Sequence, residues 1–493
     1  MAIGSAAQFV VFLMVIGLIG GLTWWKCRSP HARSKDDSRE FFLASGGLTW
    51  AYVAGSITIT NLGTEQLVGN NGGQTLILAW WELAGFVGLL ILALVFVPIY
   101  YRNNCTTTTE LLERRYNDGR IRTMISVLFM SGYVFLSMPS ALYTGSLFLQ
   151  TVFGIQVPLM VLGTAIAILG GCYGLLGGLR AVAISETFAG VGLLAICSAL
   201  VLLALNAVHF DLSGIPADRV TLIGSPESPI PWPTLFTGMI FIQIFYWSTN
   251  QAITQRAMAS PTVREAQKGV LAAAAIRIMI VPAIVVLPGV VAYKLYGNIG
   301  DRAFGTLIGN LLPPWLSGVF AAILLTSVAT HFVAVLNSAA ALYVCDIHQK
   351  YVNPQASVGR VNLIVSAISI AIAIAMIPVY SHATSIINLL QQLNGLLSMP
   401  ILSAFIVGLL FVDVEAMAAI AGVVFGVLLY AFFTFVYAPF GLHYIHLMLV
   451  TLILTVGFGL TVNRLVFGRT ARFVGIRAAL RGTGDPAAAT PAS

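Results

Sequence analysis

The sequence predicts an all-α integral membrane protein with about thirteen transmembrane helices, two of them broken within the membrane. Three observations support this fold class. The 493-residue chain is 58% hydrophobic and only 9% charged, with a mean hydropathy of +0.91, whereas soluble domains carry about 25% charged residues. Windows of roughly 20 apolar residues, enough to cross about 30 Å of hydrocarbon, recur along the chain. Two of these windows are unusually polar.

The apolar windows give the order of the helices. No basic residue precedes the first window and five follow it, the reverse of the charge order in a signal peptide, so we expect a retained helix that enters from the outside. The connections between windows are short, which predicts one compact membrane domain with no soluble enzyme attached. The thirteen predicted spans are 6–25, 50–71, 77–100, 122–151, 157–178, 181–207, 232–253, 268–297, 315–346, 360–380, 384–411, 416–438 and 445–467.

The second and seventh windows are the polar ones, and they lie five helices apart. The second contains Asn61, Thr64 and Glu65, and the seventh contains Gln243 and Asn250. Interrupted helices at corresponding positions in two halves of a chain are typical of inverted-repeat transporters, whose sites form where the backbone unwinds. We expect the first unwound turn at 61–64, where a glycine tolerates irregular dihedrals and freed carbonyls can bind a cation. The alternative is that both windows are amphipathic or re-entrant segments.

The basic residues predict the orientation in the membrane. Lys and Arg concentrate on the cytoplasmic side of membrane proteins, and with the N-terminus outside, 21 of the 25 basic residues fall in inner loops or the C-terminal tail. We therefore predict a multi-pass protein of the cell membrane, plasma or inner, with its N-terminus outside and its C-terminus in the cytoplasm. The basic loops face anionic lipid, which accounts for the net charge of +7 without a nucleic-acid partner. Nothing in the pattern indicates an oligomeric state.

Other classes of protein find no support in the sequence. The five cysteines have no CxxC spacing and lie in spans or on the inner side, so we expect no disulfide, no structural metal site and no cofactor. HExxH and GxSxG motifs are missing, so we expect no enzyme, and no ring of like charges suggests a channel. From residue 468 onward the chain is small, polar and basic, which predicts a disordered tail.

Eight stretches resemble the sodium:solute symporter family, and within it the sodium–glucose cotransporter branch. They run in family order across about residues 40–410, and the 24-residue block that begins at Tyr246 is highly specific. The stretches are FFLASGGLTW (41–50), ITNLGTEQLVG (59–69), TTTELLERRYN (107–117), GGLRAVAISE (177–186), YWSTNQAITQRAMASPTVREAQKG (246–269), VVLPGVVAY (285–293), VLNSAAALYVCDIH (335–348) and LLQQLNGLLSMP (389–400).

The resemblance implies a LeuT-type fold, in which two inverted repeats of five helices form a ten-helix core. It implies a cation-coupled symporter that imports a sugar or sugar-like polyol by alternating access, with sodium or a proton as the coupling cation. The alternatives are an uncoupled facilitator or sugar sensor, and a symporter for a carboxylated solute. The implied regions are an extra N-terminal helix with a basic cytoplasmic loop (1–40), the transporter core (41–411), two C-terminal helices (412–467) and a disordered cytoplasmic tail (468–493).

The positions that contact sugar in the family are matched here by Gln66, Glu82 and Gln391. Amides and a carboxylate suit hydroxyls, which both donate and accept, and each is costly at membrane depth unless it lines a wet cavity. Gln243 stands where the family has Asn or another small polar group, and Arg277 where it has Lys. The alternatives are a purely structural Glu82–Arg277 pair and helix-packing hydrogen bonds for the glutamines. Arg277 also makes a carboxylated solute the second candidate, because guanidinium binds carboxylate in a bidentate pair.

The resemblance also implies two gates. Tyr246 matches the inner gate, a ring that covers the sugar from the cytoplasmic side, and Trp247 follows it. Asn70, Trp81 and Ile387 match the outer gate, where an indole offers a platform for the apolar face of a pyranose. The alternative for Tyr246 is an ordinary aromatic side chain packed in the bundle.

The family's sodium site lies between the first broken helix and the eighth core helix, which matches TSVATHFVAVLNS, residues 326–338. By this resemblance the ligands are the backbone carbonyls of Ile59, Leu62 and Ser327 and the hydroxyl of Thr330. The second hydroxyl that the family places beside the first is replaced by His331.

His331 leaves three alternatives for the coupling cation. Residues 327, 330 and 331 share one face of a helix, and an imidazole is a poor sodium ligand that can carry a proton near neutral pH. The histidine replaces sodium with a proton, or turns aside while sodium still binds, or marks a loss of coupling. Glu186 occupies the position of a family Asp at the inner exit of the ion, so an acidic relay beneath the site is expected.

Overall fold

Helices make up most of the described chain. The computed structural model describes residues 3–27, 43, 47–383, 385–437 and 439–476. Two strands of two residues each, β1 (Phe411–Val412) and β2 (Arg472–Phe473), pair antiparallel. The helices, in chain order, are α1 (Ile3–Cys27), α2 (Trp50–Thr60), α3 (Thr64–Gly72), α4 (Leu76–Arg102), α5 (Thr108–Tyr116), α6 (Gly119–Phe153), α7 (Leu159–Ala207), α8 (Gly238–Ile244), α9 (Gln251–Met258), α10 (Val263–Tyr296), α11 (Ala303–Leu311), α12 (Pro314–Val352), α13 (Val358–Ser381), α14 (Ile386–Leu410), α15 (Ala416–Phe435) and α16 (Tyr444–Leu465).

Nine helical segments in the described residues are long and apolar enough to cross a membrane. They are α4, α6, the second part of α7, α10 and α12 through α16, and each overlaps one of the predicted spans. The other four predicted spans are the first, the fifth and the two polar ones. Within the described residues, the first and fifth spans contribute the apolar stretches Ala7–Leu22 of α1 and Leu159–Gly171 of α7, and the polar ones are split by breaks, so helix length and composition do not confirm the predicted count of thirteen.

Helix α7 departs from the predicted pattern. It runs from Leu159 to Ala207 without interruption, where the sequence predicts two spans, 157–178 and 181–207. Its 49 residues would extend about 74 Å at 1.5 Å per residue, more than twice the hydrocarbon thickness. No proline lies between its ends, so no residue is forced out of helical geometry where the two spans meet. The two spans are therefore distinct in hydropathy, but no loop lies between them, and they belong to one continuous helix.

The first polar window is a helix with a break in its middle. Helix α2 ends at Thr60, α3 begins at Thr64, and the intervening Gly63 has extended dihedrals of φ −82° and ψ 180°. The unwound turn predicted at 61–64 is thus confirmed for 61–63. The carbonyl of Ile59 accepts the N–H of Leu62 at 2.9 Å, which tightens the end of α2.

The second polar window is broken at a single residue. Helix α8 continues through a π-helical turn, Phe245–Thr249, and Asn250 then leaves the helix with φ −68° and ψ 122°. The Asn250 Oδ1 accepts the N–H of Ala252 at 2.9 Å, so this side chain caps the N-terminus of α9. The hydroxyl of Tyr133 on α6 donates to the same oxygen at 2.6 Å. The polarity of the seventh window therefore reflects a helix start in mid-span.

The two broken helices lie at the centre of the bundle. Helix α2 packs on α7 and α10, α3 packs on α6, α10 and α14, and the segment around the second break packs on α4 and α14. Helix α12 packs along α7 and α1 and reaches the first break with its middle turns. The core of buried apolar side chains is continuous around both breaks.

The start of the C-terminal tail is ordered, contrary to the disorder predicted from residue 468 onward. Strand β2 pairs with β1, which directly follows α14. Arg472 bonds to Asp413 at 2.8 Å and Arg469 to Glu415 at 2.9 Å. The composition of the tail could not indicate these partners, because both acids belong to the connection between α14 and α15. Residues 477–493 of the predicted tail, and most of the predicted basic loop before residue 40, lie outside the described residues.

A buried carboxylate ties together the ends of α5, α6 and α12 that the charge pattern predicts to be cytoplasmic. Asp346 is fully buried. It accepts hydroxyl hydrogen bonds from Thr107 at 2.9 Å and from Thr109 and Ser126, and it pairs with Arg122 at 2.6 Å. Arg122 in turn bonds to Glu110 and Glu113 of α5 at 3.0 and 2.8 Å. Both carboxylate oxygens of Asp346 therefore accept hydrogen bonds within the protein.

Replacing Asp346 with Asn is expected to lower stability by about 1.5–3 kcal/mol, the range for hydrogen bonds to a charged group. The amide cannot accept from three hydroxyls and a guanidinium at once, since half of its polar atoms are donors. Thermal unfolding of the protein in detergent measures the effect. The Asp118→Asn variant is the control, because the Asp118–Arg120 pair lies at the surface. Equal unfolding temperatures for both variants would contradict a structural role for Asp346.

Candidate solute and cation site

A polar cavity lies between the two breaks. Side chains from the first break, α3, α4, α14 and the segment that precedes the second break reach it. Four of the five predicted solute-binding residues, all except Arg277, line it together. Two further amides, Asn61 and Asn394, were not predicted from the sequence. The lining residues are Asn61, Gln66, Trp81, Glu82, Ile242, Gln243, Phe245, Tyr246, Gln391 and Asn394.

An ion pair forms one wall of this cavity. Glu82 and Arg277 are 2% and 1% exposed and are bonded to each other through Oε2 and Nη2. The Arg277 Nη1 also donates to the carbonyl of Thr58 near the end of α2 at 3.0 Å. Its guanidinium lies 4.6 Å from the ring centroid of Trp247. Arg277 thus stands behind Glu82, and only the glutamate reaches the cavity.

Gln243 and Trp247 form a second bonded pair behind the cavity. The Gln243 Nε2 donates to the carbonyl of Trp81 at 2.8 Å, and its Oε1 accepts from the Trp247 indole at 2.9 Å. Both polar ends of the Gln243 amide are therefore engaged within the protein. Trp247 is 1% exposed and does not line this cavity or the second cavity, described below. Trp247, which is predicted as a gate residue, packs on the guanidinium of Arg277 in this structure.

The amides of Gln66, Gln391 and Asn394 differ from that of Gln243 in their partners. The Gln66 Oε1 accepts from Asn70 at 2.8 Å, and Gln66 lines the cavity. Gln391 and Asn394 lie one turn apart on α14. No protein hydrogen bond engages either of their side-chain amides within the described residues. The cavity therefore presents donors and acceptors that a ligand can satisfy.

One end of the cavity is closed by close contact between α3 and α14. A Cβ atom at Gly69 would lie 3.2–3.3 Å from the side chains of Ile387 and Ile386, so a larger residue would require these side chains to shift by a few tenths of an ångström. Ile387 is 2% exposed, and Asn70 is fully buried. Asn70 and Ile387, with Trp81, are the residues predicted for the outer gate. All three lie at this closed end or in the adjoining wall.

A second cavity adjoins the first. It shares Gln66, Phe245, Tyr246, Gln391 and Asn394 with the first. It extends along α6 and α14 toward the ends predicted to be cytoplasmic, between side chains such as Leu128 and Ile401. Tyr246 therefore stands at the boundary between the two compartments.

The predicted cation ligands lie where α12 passes the first break. The hydroxyl of Ser327 donates to the carbonyl of Leu62 at 3.4 Å, across the unwound turn. The hydroxyl of Thr330 bonds back to the carbonyls of Thr326 and Ser327 at 2.9 and 3.1 Å. The side chain of Glu186, the predicted ion exit, lies outside the described residues.

His331 faces a carboxylate that the sequence did not connect to it. Its Nε2 lies 3.3 Å from the Oε2 of Glu65, and both side chains are largely buried. The other Glu65 oxygen accepts from the Ser140 hydroxyl at 2.8 Å. All three residues line the second cavity. The position of Glu65 directly after the break is the feature of the sequence that could have indicated a functional role for this acid. Its partner could not be identified in this way, because His331 belongs to a helix distant in sequence.

Two broken helices around a shared polar cavity define a secondary transporter. The model of the sodium:solute symporter family matches residues 41–426, and the chain belongs to this family. A symporter of Escherichia coli, YidK, whose own function is uncharacterised, is 32% identical, with 92% of this chain and 82% of that protein covered. A sodium/glucose cotransporter of Vibrio parahaemolyticus is 28% identical, with 92% and 89% covered.

A solved structure shows the fold. A sodium-coupled sialic acid symporter, in a substrate-bound outward-open state, matches with a TM-score of 0.78 at 16% identity, covering 93% of this chain and 98% of that one. The fold is thus the LeuT type that the resemblance implies. The protein is a multi-pass membrane transporter, a cation-coupled symporter of a small solute, and not an enzyme.

Proposed function

We propose that the protein imports a sugar or a sugar-like polyol through the polar cavity. The convergence of Glu82 with the amides of Gln66, Gln391 and Asn394 carries the proposal. A solute rich in hydroxyls needs donors and acceptors in about equal number, and amides supply both. The relationship to a sodium/glucose cotransporter supports the same class of solute.

A carboxylated solute is the less favoured candidate. Arg277 is the cation that would hold a carboxylate, but Glu82 already neutralises it and separates it from the cavity. An added carboxylate on the ligand would meet Glu82 instead, and two like charges at low dielectric repel strongly. The pair therefore selects against acids.

The substrate class is tested by binding to the purified protein. A panel of matched ligands, such as glucose and glucuronate, or an inositol and a cyclitol acid, compares each polyol with its carboxylated analogue. The expected result is saturable binding of at least one neutral member and a loss of affinity of about tenfold or more for its acid. Preferential binding of the acids would overturn the proposal in favour of a carboxylate symporter.

Alternating access in this proposal uses two gates. Tyr246 lies between the compartments and closes the cavity on the cytoplasmic side. Asn70, Ile387 and Trp81 close it on the outer side. Opening one side while the other stays packed would move the solute without a continuous pore. The chain is proposed to lie in the cell membrane with its N-terminus outside, its core at 41–411 and its tail in the cytoplasm, as the basic residues indicate.

The coupling cation is proposed to be sodium, or a proton if the His331–Glu65 pair takes its place. Three backbone carbonyls and the Thr330 hydroxyl remain from the family's ligand set, but an imidazole replaces the second hydroxyl. The Nε2–Oε2 contact of 3.3 Å supports a specific role for His331, because it directs the ring to Glu65 rather than to lipid.

A His331→Ser variant is expected to increase the sodium dependence of uptake. The serine restores a hydroxyl ligand, and it leaves the carboxylate of Glu65 near the site without the imidazole. An additional oxygen ligand and an uncompensated negative charge both favour a cation. We expect the sodium concentration for half-maximal uptake to fall by about tenfold, as for one restored interaction of about 1.4 kcal/mol. Thr326→Ser, one turn away, is the control, and unchanged sodium dependence in His331→Ser would make His331 peripheral.

A further inference from the structure

A short turn between α10 and α11 lies at the closed end of the cavity. It covers residues 297–302, and Gly297 and Gly300 adopt positive φ angles of 76° and 59° that favour glycine. The side chain of Gln74, just beyond α3, donates to the carbonyl of Gly297 at 2.9 Å and accepts the N–H of Ile299 at 3.1 Å. The turn is therefore fastened to the outer half of the first broken helix.

The acid of this turn, Asp301, fits between α3 and α14. Its Oδ2 accepts the backbone N–H of Ile386, the first residue of α14, at 3.2 Å. On the other side, a Cβ atom at Gly72 would lie 2.5 Å from Oδ1. Asp301 is thus largely buried, in contact with the end of α3 and the start of α14.

These two helix ends carry the residues of the outer gate. Gly69 and Asn70 lie in the last turn of α3, and Ile387 lies in the first turn of α14. Gln391 follows one turn further along α14 and reaches the cavity. Any separation of α14 from α3 that opens this gate would also break the contact of Asp301 with Ile386 and expose the carboxyl group to water.

We propose that Asp301 is a positioning residue for the outer gate: it holds α14 on α3 in the closed state, and its ionisation favours opening toward the outside. The inference rests on the proposed function for the identity of the gate and for the orientation in the membrane. Opening of the outer gate would then depend on external pH, whichever cation is coupled to transport.

The direction of the pH effect follows from burial. Burial raises the pKa of Asp301 from 3.8 to about 6, and the N–H of Ile386 offsets only part of this rise. A carboxyl that is exposed in the open state would return toward its ordinary pKa, so the closed state binds the proton more tightly. Acid therefore favours the closed gate, and neutral pH favours opening. The difference of about two pKa units limits the change in the gating equilibrium to about 100-fold.

Few other groups near Asp301 can titrate or add charge. Tyr143 on α6 and Arg302 in the same turn are the groups whose charges interact in this region. Helices α11 and α14 contain no ionisable side chain, and the only one in α3, Glu65, lies at its opposite end. His382 precedes α14 in the connection from α13 and is exposed, and Lys294 near the end of α10 pairs with Asp211. Asp301 is the carboxyl that contacts both helix ends.

The test compares uptake by the wild type and an Asp301→Asn variant in proteoliposomes as the external pH is varied. Asparagine keeps an acceptor for Ile386 but cannot ionise, so it mimics the protonated acid. We expect the ratio of wild-type to variant uptake to rise several-fold from pH 5 to pH 7.5, with a midpoint near pH 6. The ratio cancels any pH dependence of the coupling cation that both proteins share. A constant ratio would overturn the proposal.

Asp211→Asn is the matched control. Asp211 is another acid on the side predicted to be outer, where it pairs with Lys294 at 3.0 Å. Hydrogen bonds from Ser213 lower its pKa to about 2, so it does not titrate between pH 5 and pH 7.5. The ratio of wild-type to Asp211→Asn uptake should stay constant. A rise equal to that for Asp301→Asn would mean that loss of any outer carboxylate changes the profile.

Hydrogen exchange of the wild type provides a second test that needs neither a variant nor transport. After correction for intrinsic rates, peptides that cover the start of α14 should be better protected at pH 5.5 than at pH 7.5. Equal or lower protection at pH 5.5 would contradict the role of Asp301. Absence of uptake with normal exchange behaviour would instead contradict the proposed function and leave the Asp301 contact supported.

Discussion

Replacing Arg277 with methionine is expected to lower the stability of the protein by about 3–5 kcal/mol, because it leaves a buried carboxylate without its partner. Glu82 and Arg277 are both nearly inaccessible, and the guanidinium also bonds to the Thr58 carbonyl and packs on Trp247. Methionine fills much of the arginine volume, so the loss is mainly electrostatic. Thermal unfolding in detergent, followed as the loss of monodisperse protein on heating, measures it.

A double variant separates the charge effect from packing. Combining Glu82→Leu with Arg277→Met removes both charges, and a buried pair replaced by apolar side chains is often no less stable. We expect the double variant to unfold at a higher temperature than Arg277→Met alone. Lys294→Met is the control, since the Lys294–Asp211 pair is exposed and its loss should change the unfolding temperature little. If the double variant were as unstable as the sum of the single variants, the two residues would not act as a pair.

The second large effect is expected in transport. Replacing Gln391 with alanine should lower the kcat/KM for uptake by about 10–100-fold, the equivalent of about 1.4–3 kcal/mol for a substrate hydroxyl left without a partner. The Gln391 amide lines both compartments and has no protein hydrogen-bond partner within the described residues, so its removal affects the solute more than the fold. Concentration-dependent uptake measures the change.

A glutamine outside the cavities provides the comparison for Gln391. Gln150 lies near the end of α6 that is predicted to be outer, and its amide donates to the carbonyl of Val157 at 3.1 Å. Gln150→Ala should leave kcat/KM unchanged within about twofold. Unchanged uptake by Gln391→Ala, with normal expression, would mean that the solute binds elsewhere.

The sequence allowed the centre of the fold to be predicted more fully than its edges. The unwound turn at Asn61 to Gly63 was predictable because polar residues and a glycine interrupt an apolar span. Asn250 was visible only as one polar residue among several, since its role as a helix cap depends on the backbone that follows it. The continuity of α7 could not be predicted, because hydropathy reports the depth of a segment and not the path between segments.

In the candidate site, too, individual residues could be predicted from the sequence but their contacts could not. Gln66, Glu82 and Gln391 were predicted individually, and the fold brings them to one cavity. The engagement of Gln243 by Trp81 and Trp247 could not be inferred, because both bonds depend on side-chain direction. The contact of His331 with Glu65 joins helices from the two halves of the chain, and no local pattern encodes such a pairing.

The measurement that tests the central claim most directly is solute uptake into proteoliposomes with sodium and proton gradients imposed one at a time. We expect a neutral sugar or polyol to accumulate above its external concentration under one of the two gradients, and an ionophore for that cation to abolish the accumulation. Accumulation with sodium alone would assign sodium as the coupling cation, and accumulation with the proton gradient alone would assign the proton. Equilibration without accumulation under both gradients, or binding without uptake, would contradict cation-coupled symport and indicate a facilitator or a sensor.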